Sequence, residues 1–152
     1  MANPPVPEQG FTLIELIVVM ILIGVLAVFA LPKLLDTELW RLRSFGDDLQ
    51  SQMQAMLRLS LVQRRPVTAT LTGSTASFAY AGGGASLGSL SCPATSSPCI
   101  AEGGSRSITF NVNNGGTSLT STGAAMTVTV SASGYTQAYV LENDTGLFYA
   151  TP

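Results

Sequence analysis

A chain of 152 residues with an apolar stretch near its start has room for one soluble domain of about 100 residues besides that stretch. Its net charge is −2, and among its seven basic residues only Arg64 and Arg65 are adjacent, so it lacks the clustered cationic face that neutralises nucleic-acid phosphates. With no histidine and two cysteines, the usual four-ligand zinc sites and the Ser-His and Cys-His catalytic pairs cannot be assembled.

Charged residues are 11% of the chain, well under the ~25% of ordinary soluble domains. After Pro66 only Glu102, Arg106, Glu142 and Asp144 carry charge, and solubility rests on Ser, Thr, Gly and Asn. That composition suits an exported surface protein whose exterior packs against copies of itself. The glycine run Gly82-Gly83-Gly84 lacks the spacing of a phosphate-binding loop and reads as an ordinary loop. No catalytic residue, cofactor, metal ligand or nucleic-acid partner is expected.

In chain order, residues 1–10, MANPPVPEQG, contain no Lys or Arg and one charged side chain, Glu8. From Leu16 to Leu31 the chain reads LIVVMILIGVLAVFAL, without a polar side chain. Counted from Phe11 the run covers 21 positions, a helix of roughly 31 Å, which matches a bilayer's hydrocarbon thickness. A cleaved secretory signal is the rival reading, but a positive n-region and a clean A-x-A exit are missing. A buried core helix would need more covering chain than follows. Glu15 is the one carboxylate in the run, and an ionisable group at that depth calls for a functional reading and a partner.

The residues Gly10, Phe11, Thr12, Leu13, Ile14, Glu15 and Leu16, followed by an uninterrupted apolar helix, resemble the N-terminal methylation motif of type IV pilins and type II secretion pseudopilins. The resemblance implies a leader from Met1 to Gly10, cleavage by a prepilin peptidase between Gly10 and Phe11, and methylation of the new N-terminus on Phe11. It departs from the family in one respect, since family leaders usually carry Lys or Arg, the residues that normally fix membrane topology. For Glu15 the resemblance implies neutralisation of the Phe11 amine of a neighbouring subunit, which sets register during assembly. An amine and a carboxylate ~4 Å apart attract by about 4 kcal/mol at an effective dielectric of 20, before desolvation. The alternative is a Glu that snorkels to the headgroups.

Gly24 and Pro32 weaken the helix, one through low propensity and the other by removing the hydrogen bond to the Val28 carbonyl. They mark either a segment that loses helicity on assembly, as the family implies, or a simple kink. Beyond Pro32, Leu39, Leu42, Phe45, Leu49, Met53 and Met56 recur at three- and four-residue steps, which predicts an amphipathic helix over 33–65. It is expected to end near Arg64 and Arg65, where cations suit the helix C-terminus and Pro66 stops propagation. The Met residues read as core filler.

After Val67 the segments VTATLTG, STASFAYA, RSITFNV, AMTVTVSA, TQAYVLE and GLFYA predict short strands of one antiparallel sheet. Ser133-Gly134 is placed at a tight hairpin, and Asn113 to Gly116 at another turn. The stretch LVQRRPV, Leu61 to Val67, resembles the helix-to-strand junction of minor pilins of the pseudopilin H and mannose-sensitive haemagglutinin pilus types, although a double arginine can equally be just a helix terminus. Cys92 and Cys99, in CPATSSPC, read as a disulfide in an oxidising compartment, with a metal pair as the rival.

The expected fold is therefore α+β and pilin-like. It comprises a leader over 1–10, a hydrophobic transmembrane and assembly helix over 11–32, an amphipathic continuation over 33–65, and a β-rich head over 66–152. The expected function is a structural, non-enzymatic subunit of the minor class, in a type IV pilus or a type II secretion pseudopilus. Its partners would be other pilin or pseudopilin subunits, the prepilin peptidase and an inner-membrane assembly platform. It would sit in the inner membrane with a periplasmic head before joining the filament. The alternative is a membrane-anchored binding module such as a tip adhesin or DNA-uptake subunit, for which Tyr135, Tyr139, Phe148 and Tyr149 could supply an aromatic patch or else lie in the core.

Overall fold

The structure is a computed structural model that describes residues 11–34, 37–113 and 121–152. The expected leader with Gly10, and Asn114 to Gly116 of the expected second turn, lie outside the described residues. The chain divides into two compact units, one ending at Asp36 and the other Thr37–Pro152.

In the first unit, α1 (Leu13–Leu34) is a helix of 22 residues, about 33 Å long. It is assigned as helix through both Gly24 and Pro32. From Leu13 to Ala30 every side chain is exposed except half-buried Ala27.

In the second unit, α2 (Thr37–Val62) buries Leu42, Phe45, Leu49, Met53 and Met56 at the predicted steps, together with Gly46, Leu57 and Ser60. Leu39, placed in the same stripe by its spacing, is half-buried near the helix start. The helix ends through side chains and backbone acting together. The Arg65 N–H donates to the Ser60 carbonyl at 3.0 Å and the Arg64 N–H to Leu61 at 3.3 Å. Arg64 holds a left-handed φ of 50°. This is the Schellman pattern, built here on arginine where glycine is usual. The second cation then serves the head, since Arg65 lies 4.0 Å over the Tyr80 ring, whose hydroxyl donates to Gln63 Oε1 at 2.6 Å. The two arginines of LVQRRPV thus terminate a helix and anchor a strand.

Among the described residues seven strands follow: β1 (Val67–Leu71), β2 (Thr75–Tyr80), β3 (Ser86–Ser91), β4 (Arg106–Phe110), β5 (Met126–Ala132), β6 (Tyr135–Leu141) and β7 (Phe148–Ala150). The expectation of one sheet is corrected to two, ordered β3-β2-β1-β4 and β5-β6-β7, each antiparallel. The chain passes from the first sheet to the second between β4 and β5, whereas residues 92–105, with a short 3-10 turn (Ala94–Ser96), join β3 to β4 within the first. β3, SLGSLS, was not anticipated. None of its residues is fully buried, only Leu87 and Leu90 rest half-buried against the core, and without an apolar alternation it is its pairing with β2 that makes it a strand. The predicted hairpin at Ser133-Gly134 is present, with both residues at positive φ of 50° and 82° joining β5 to β6. Gly82 and Gly83, also at positive φ, turn the chain between β2 and β3.

The stripe of α2 contacts strands of both sheets, so one core serves them together. Val67, Ala69 and Leu71 of β1, Ile108 and Phe110 of β4, Val128 and Val130 of β5, and Leu141 face it. Tyr139 and Phe148 stack within it, ring centroids 5.3 Å apart. Gly46 lets Tyr139 approach the helix, for a Cβ there would meet the phenolic oxygen. Buried Asn111 donates from Nδ2 to the Ser60 carbonyl at 2.9 Å, fixing the end of α2 to the end of β4.

Candidate assembly site on the N-terminal helix

The expected cleavage residue Gly10 lies outside the described residues. Phe11 precedes the first helical turn and is 85% exposed. Thr12 then starts the helix. Its carbonyl accepts from the Glu15 and Leu16 N–H groups at 3.1 and 3.2 Å, and its Oγ1 accepts from the Glu15 N–H at 3.3 Å. The Glu15 carboxylate turns back, taking the Thr12 N–H at 3.5 Å and the Thr12 hydroxyl at 3.4 Å.

This reciprocal arrangement is a capping box, in which a Thr N-cap and the acid three residues on satisfy each other's orphan backbone donors. The negative charge also sits at the positive end of the helix macrodipole. The sequence carried the signal, since Thr-x-x-Glu ahead of an apolar run is the pattern of such a box. Reading Glu15 only as a charge in search of an inter-subunit partner passed over it. The carboxylate folds toward the chain's start, onto Thr12, the residue after Phe11. An α-amino group created on Phe11 would therefore arise beside a carboxylate already held in place.

Gly24 has open space around it, with nothing within 4 Å of a Cβ built there. Pro32 stands in the last turn of α1, two residues after the apolar window Leu13–Ala30. That window is long and apolar enough to cross a membrane.

In the second unit Cys92 and Cys99 are joined by a disulfide, Cα atoms 5.8 Å apart, which removes the metal-pair alternative. Cys99 is fully buried. The loop is tied to the β1–β2 turn by hydrogen bonds from the Cys92 N–H to Ser74 at 2.8 Å and from the Cys99 N–H to Gly73 at 3.0 Å. The four aromatics weighed as a binding patch separate: Tyr139 and Phe148 are buried, Tyr135 is half-buried, and Tyr149 is exposed. Burial pushes the Tyr139 phenol up to about 12, with Tyr135 and the charge of Asp47 adding to it.

The family model for the prokaryotic N-terminal methylation motif matches residues 7–31. The match supports a type IV pilin-like assignment with prepilin-type processing, and proteins with this motif are typically structural. It marks the chain as the kind of substrate a prepilin peptidase takes and that assembles with other pilins in a membrane. Neither the curated proteins nor the solved structures contain a significant match to the chain.

Proposed function

We propose that this chain is a structural, non-catalytic subunit of the minor class in a type IV pilus or type II secretion pseudopilus. The observation that carries the reading is the conjunction at one helix start: the methylation motif leads directly into a capped helix that leaves its whole apolar surface, Leu13 to Ala30, unburied. A helix apolar all round is stable only when bilayer or other helices cover it, and a filament subunit meets both environments in succession.

In this reading an inner-membrane precursor with a periplasmic head is cut after Gly10 and methylated on Phe11. The assembly platform then moves it into a filament cored by copies of α1. Glu15 pairs with the Phe11 amine of a neighbour, and Gly24 and Pro32 supply a segment of α1 that yields during packing. The QRRP junction supports the minor class by its resemblance, and the disulfide suits a head that works outside the cytoplasm. The binding-module alternative loses support from the burial of Tyr139 and Phe148.

Intact-mass analysis of protein from sheared filaments tests the reading. The expected mass lacks Met1 to Gly10 and carries one added methyl, placed on Phe11 by fragmentation. A mature chain that keeps Met1, or one cut near Ala27 or Ala30, overturns it.

A further inference from the structure

The helix α2 carries six charged side chains, and packing its apolar stripe into the core uses none of them. Glu38 accepts from the Ser133 hydroxyl at 3.1 Å. The Arg43 guanidinium, four residues before Asp47, is turned instead to two rings, 5.8 Å from the centroids of both Trp40 and Tyr135, within cation–π range. The other four, Arg41, Asp47, Asp48 and Arg58, are exposed. Among the described residues the single ion pair is that of Arg106 with Glu102, so none of these four meets an opposite charge there.

Their spacing sorts them onto two flanks of the exposed face. Arg41 and Asp48 are two turns apart and within about 20° of each other around the axis, which sets a cation ahead of an anion on one flank. The other flank holds the reverse order at the same spacing. An open groove of about 300 Å³ runs there between Asp47, Gln50, Ser51 and Gln54. Gln54 donates its amide N–H to the Phe148 carbonyl at 3.1 Å, leaving its amide oxygen, like the Asp47 carboxylate, to accept. Arg58 follows two turns after Ser51. Each member of the second flank lies ten residues beyond its counterpart on the first, about 15 Å along the helix and about 80° around it.

We propose that a second copy of this chain docks here, parallel and displaced by about ten residues, with its Arg41 in the Asp47–Gln54 groove and its Asp48 on Arg58. The match of sign and spacing between two flanks of one helix is what names the occupant. Copies paired at equal height would set Arg41 on Arg41 and Asp48 on Asp48. Antiparallel copies with Arg41 in the groove would carry Asp48 toward Ser44, where the adjacent cation, Arg43, is already held by rings. Because the two flanks differ, the contact is heterologous and leaves a free flank on each copy for the next, the condition for an open filament rather than a closed dimer. The proposal concerns α2 alone, and rests on the filament reading only in that copies of the chain meet side by side.

Cross-linking of full-length chains in the host's membranes and sheared filaments tests it. Two differently tagged copies, one with Ser44→Cys and one with Ser51→Cys, are produced together and treated with a short bis-maleimide, which leaves the bridged Cys92 and Cys99 untouched. Both substitutions keep every charge on α2. The mixed product is expected to exceed the like-with-like products of each chain produced alone. Asp48→Arg, placed in both tagged copies, should lower its yield roughly fivefold, and so should Arg58→Asp, as attraction gives way to repulsion between exposed charges. The two substitutions together should restore it. Equal yields of mixed and like products overturn the proposal, as do charge variants without effect or a double variant that fails to recover. Intact mass of the same samples scores the filament reading separately. Loss of Met1 to Gly10 without the mixed product removes the contact alone, whereas the mixed product from a chain that keeps its leader removes the filament reading and leaves the contact standing.

Discussion

The Glu15 carboxylate caps α1 and is proposed to pair with a neighbouring subunit, and two substitutions separate these roles. Glu15→Gln keeps a side chain that can serve in a capping box but removes the charge that would meet a neighbour's Phe11 amine. Leader cleavage should stay normal while incorporation into sheared filaments is lost, because an ammonium buried without its counter-ion is disfavoured by about 3–5 kcal/mol. Thr12→Ala does the reverse, weakening the helix start by about 1 kcal/mol and leaving the charge, so incorporation should fall much less. The ratio of filament to membrane protein, compared across the two variants, gives the answer; equal losses would make the cap the main role. At Gly46 the residue-scale issue is space. An alanine methyl would collide with the Tyr139 hydroxyl, so Gly46→Ala should lower head stability by about 1–3 kcal/mol in urea unfolding. Tyr139→Phe in the same chain should recover much of that loss, as two groups in direct contact do not act additively.

At the scale of the elements, the end of α2 rests on a residue type that does not favour its conformation. Arg64 occupies a left-handed conformation that disfavours L-residues by roughly 1–2 kcal/mol against glycine. Its backbone, not its side chain, makes the Schellman bond. Arg64→Gly should therefore stabilise the head by about 0.5–1 kcal/mol after the added freedom of the unfolded chain is counted, read as a raised urea midpoint at unchanged slope. Arg65 is different, because its stacking on Tyr80 requires the side chain. Six of the seven strands were legible as β-branched and aromatic runs between turn residues. β3 was not, because an edge strand with no fully buried residue needs no apolar alternation.

For the molecule as a whole, the joint between the two sheets of the head is polar as well as apolar. Residues 99–101 run along the outer edge of β5, with Ala101 N–H to Thr129 at 2.9 Å and Ser131 N–H to Cys99 at 2.8 Å. Beyond them side chains continue the edge: Glu102 accepts the Thr129 N–H at 2.8 Å, and Arg106 of β4 donates to the Thr127 carbonyl at 2.9 Å while lying 3.5 Å from Glu102. Such cover denies an edge strand to other chains. Partial burial pushes the Glu102 carboxyl up, but the hydrogen bonds from Thr129 and the Arg106 charge outweigh it and hold the group below its ordinary 4.5. A lowered carboxyl contributes stability that is full above pH 4.5 and is lost as pH falls through the folded value. Glu102→Gln should flatten the acid limb of stability against pH while leaving the Cys92–Cys99 bridge intact, measured by thermal unfolding across that range.

What the sequence determined by itself was the part governed by local rules. The motif around Glu15, the length of the apolar run, the stripe on α2, the hairpin at Ser133-Gly134 and the cysteine pair all follow from spacing, periodicity or residue type over short stretches. The capping box was also written there, in Thr12 and Glu15, and needed only the backbone donors of the first turn to be considered with the charge. Tertiary structure alone decided what depends on residues far apart in the chain: the division into two sheets, β3 as a strand, Gly46 beneath Tyr139, Asn111 on the end of α2, and Arg43 between Trp40 and Tyr135. The physical reason is that each of these is a pairing, and a pairing exists only once folding has brought both partners to the same place.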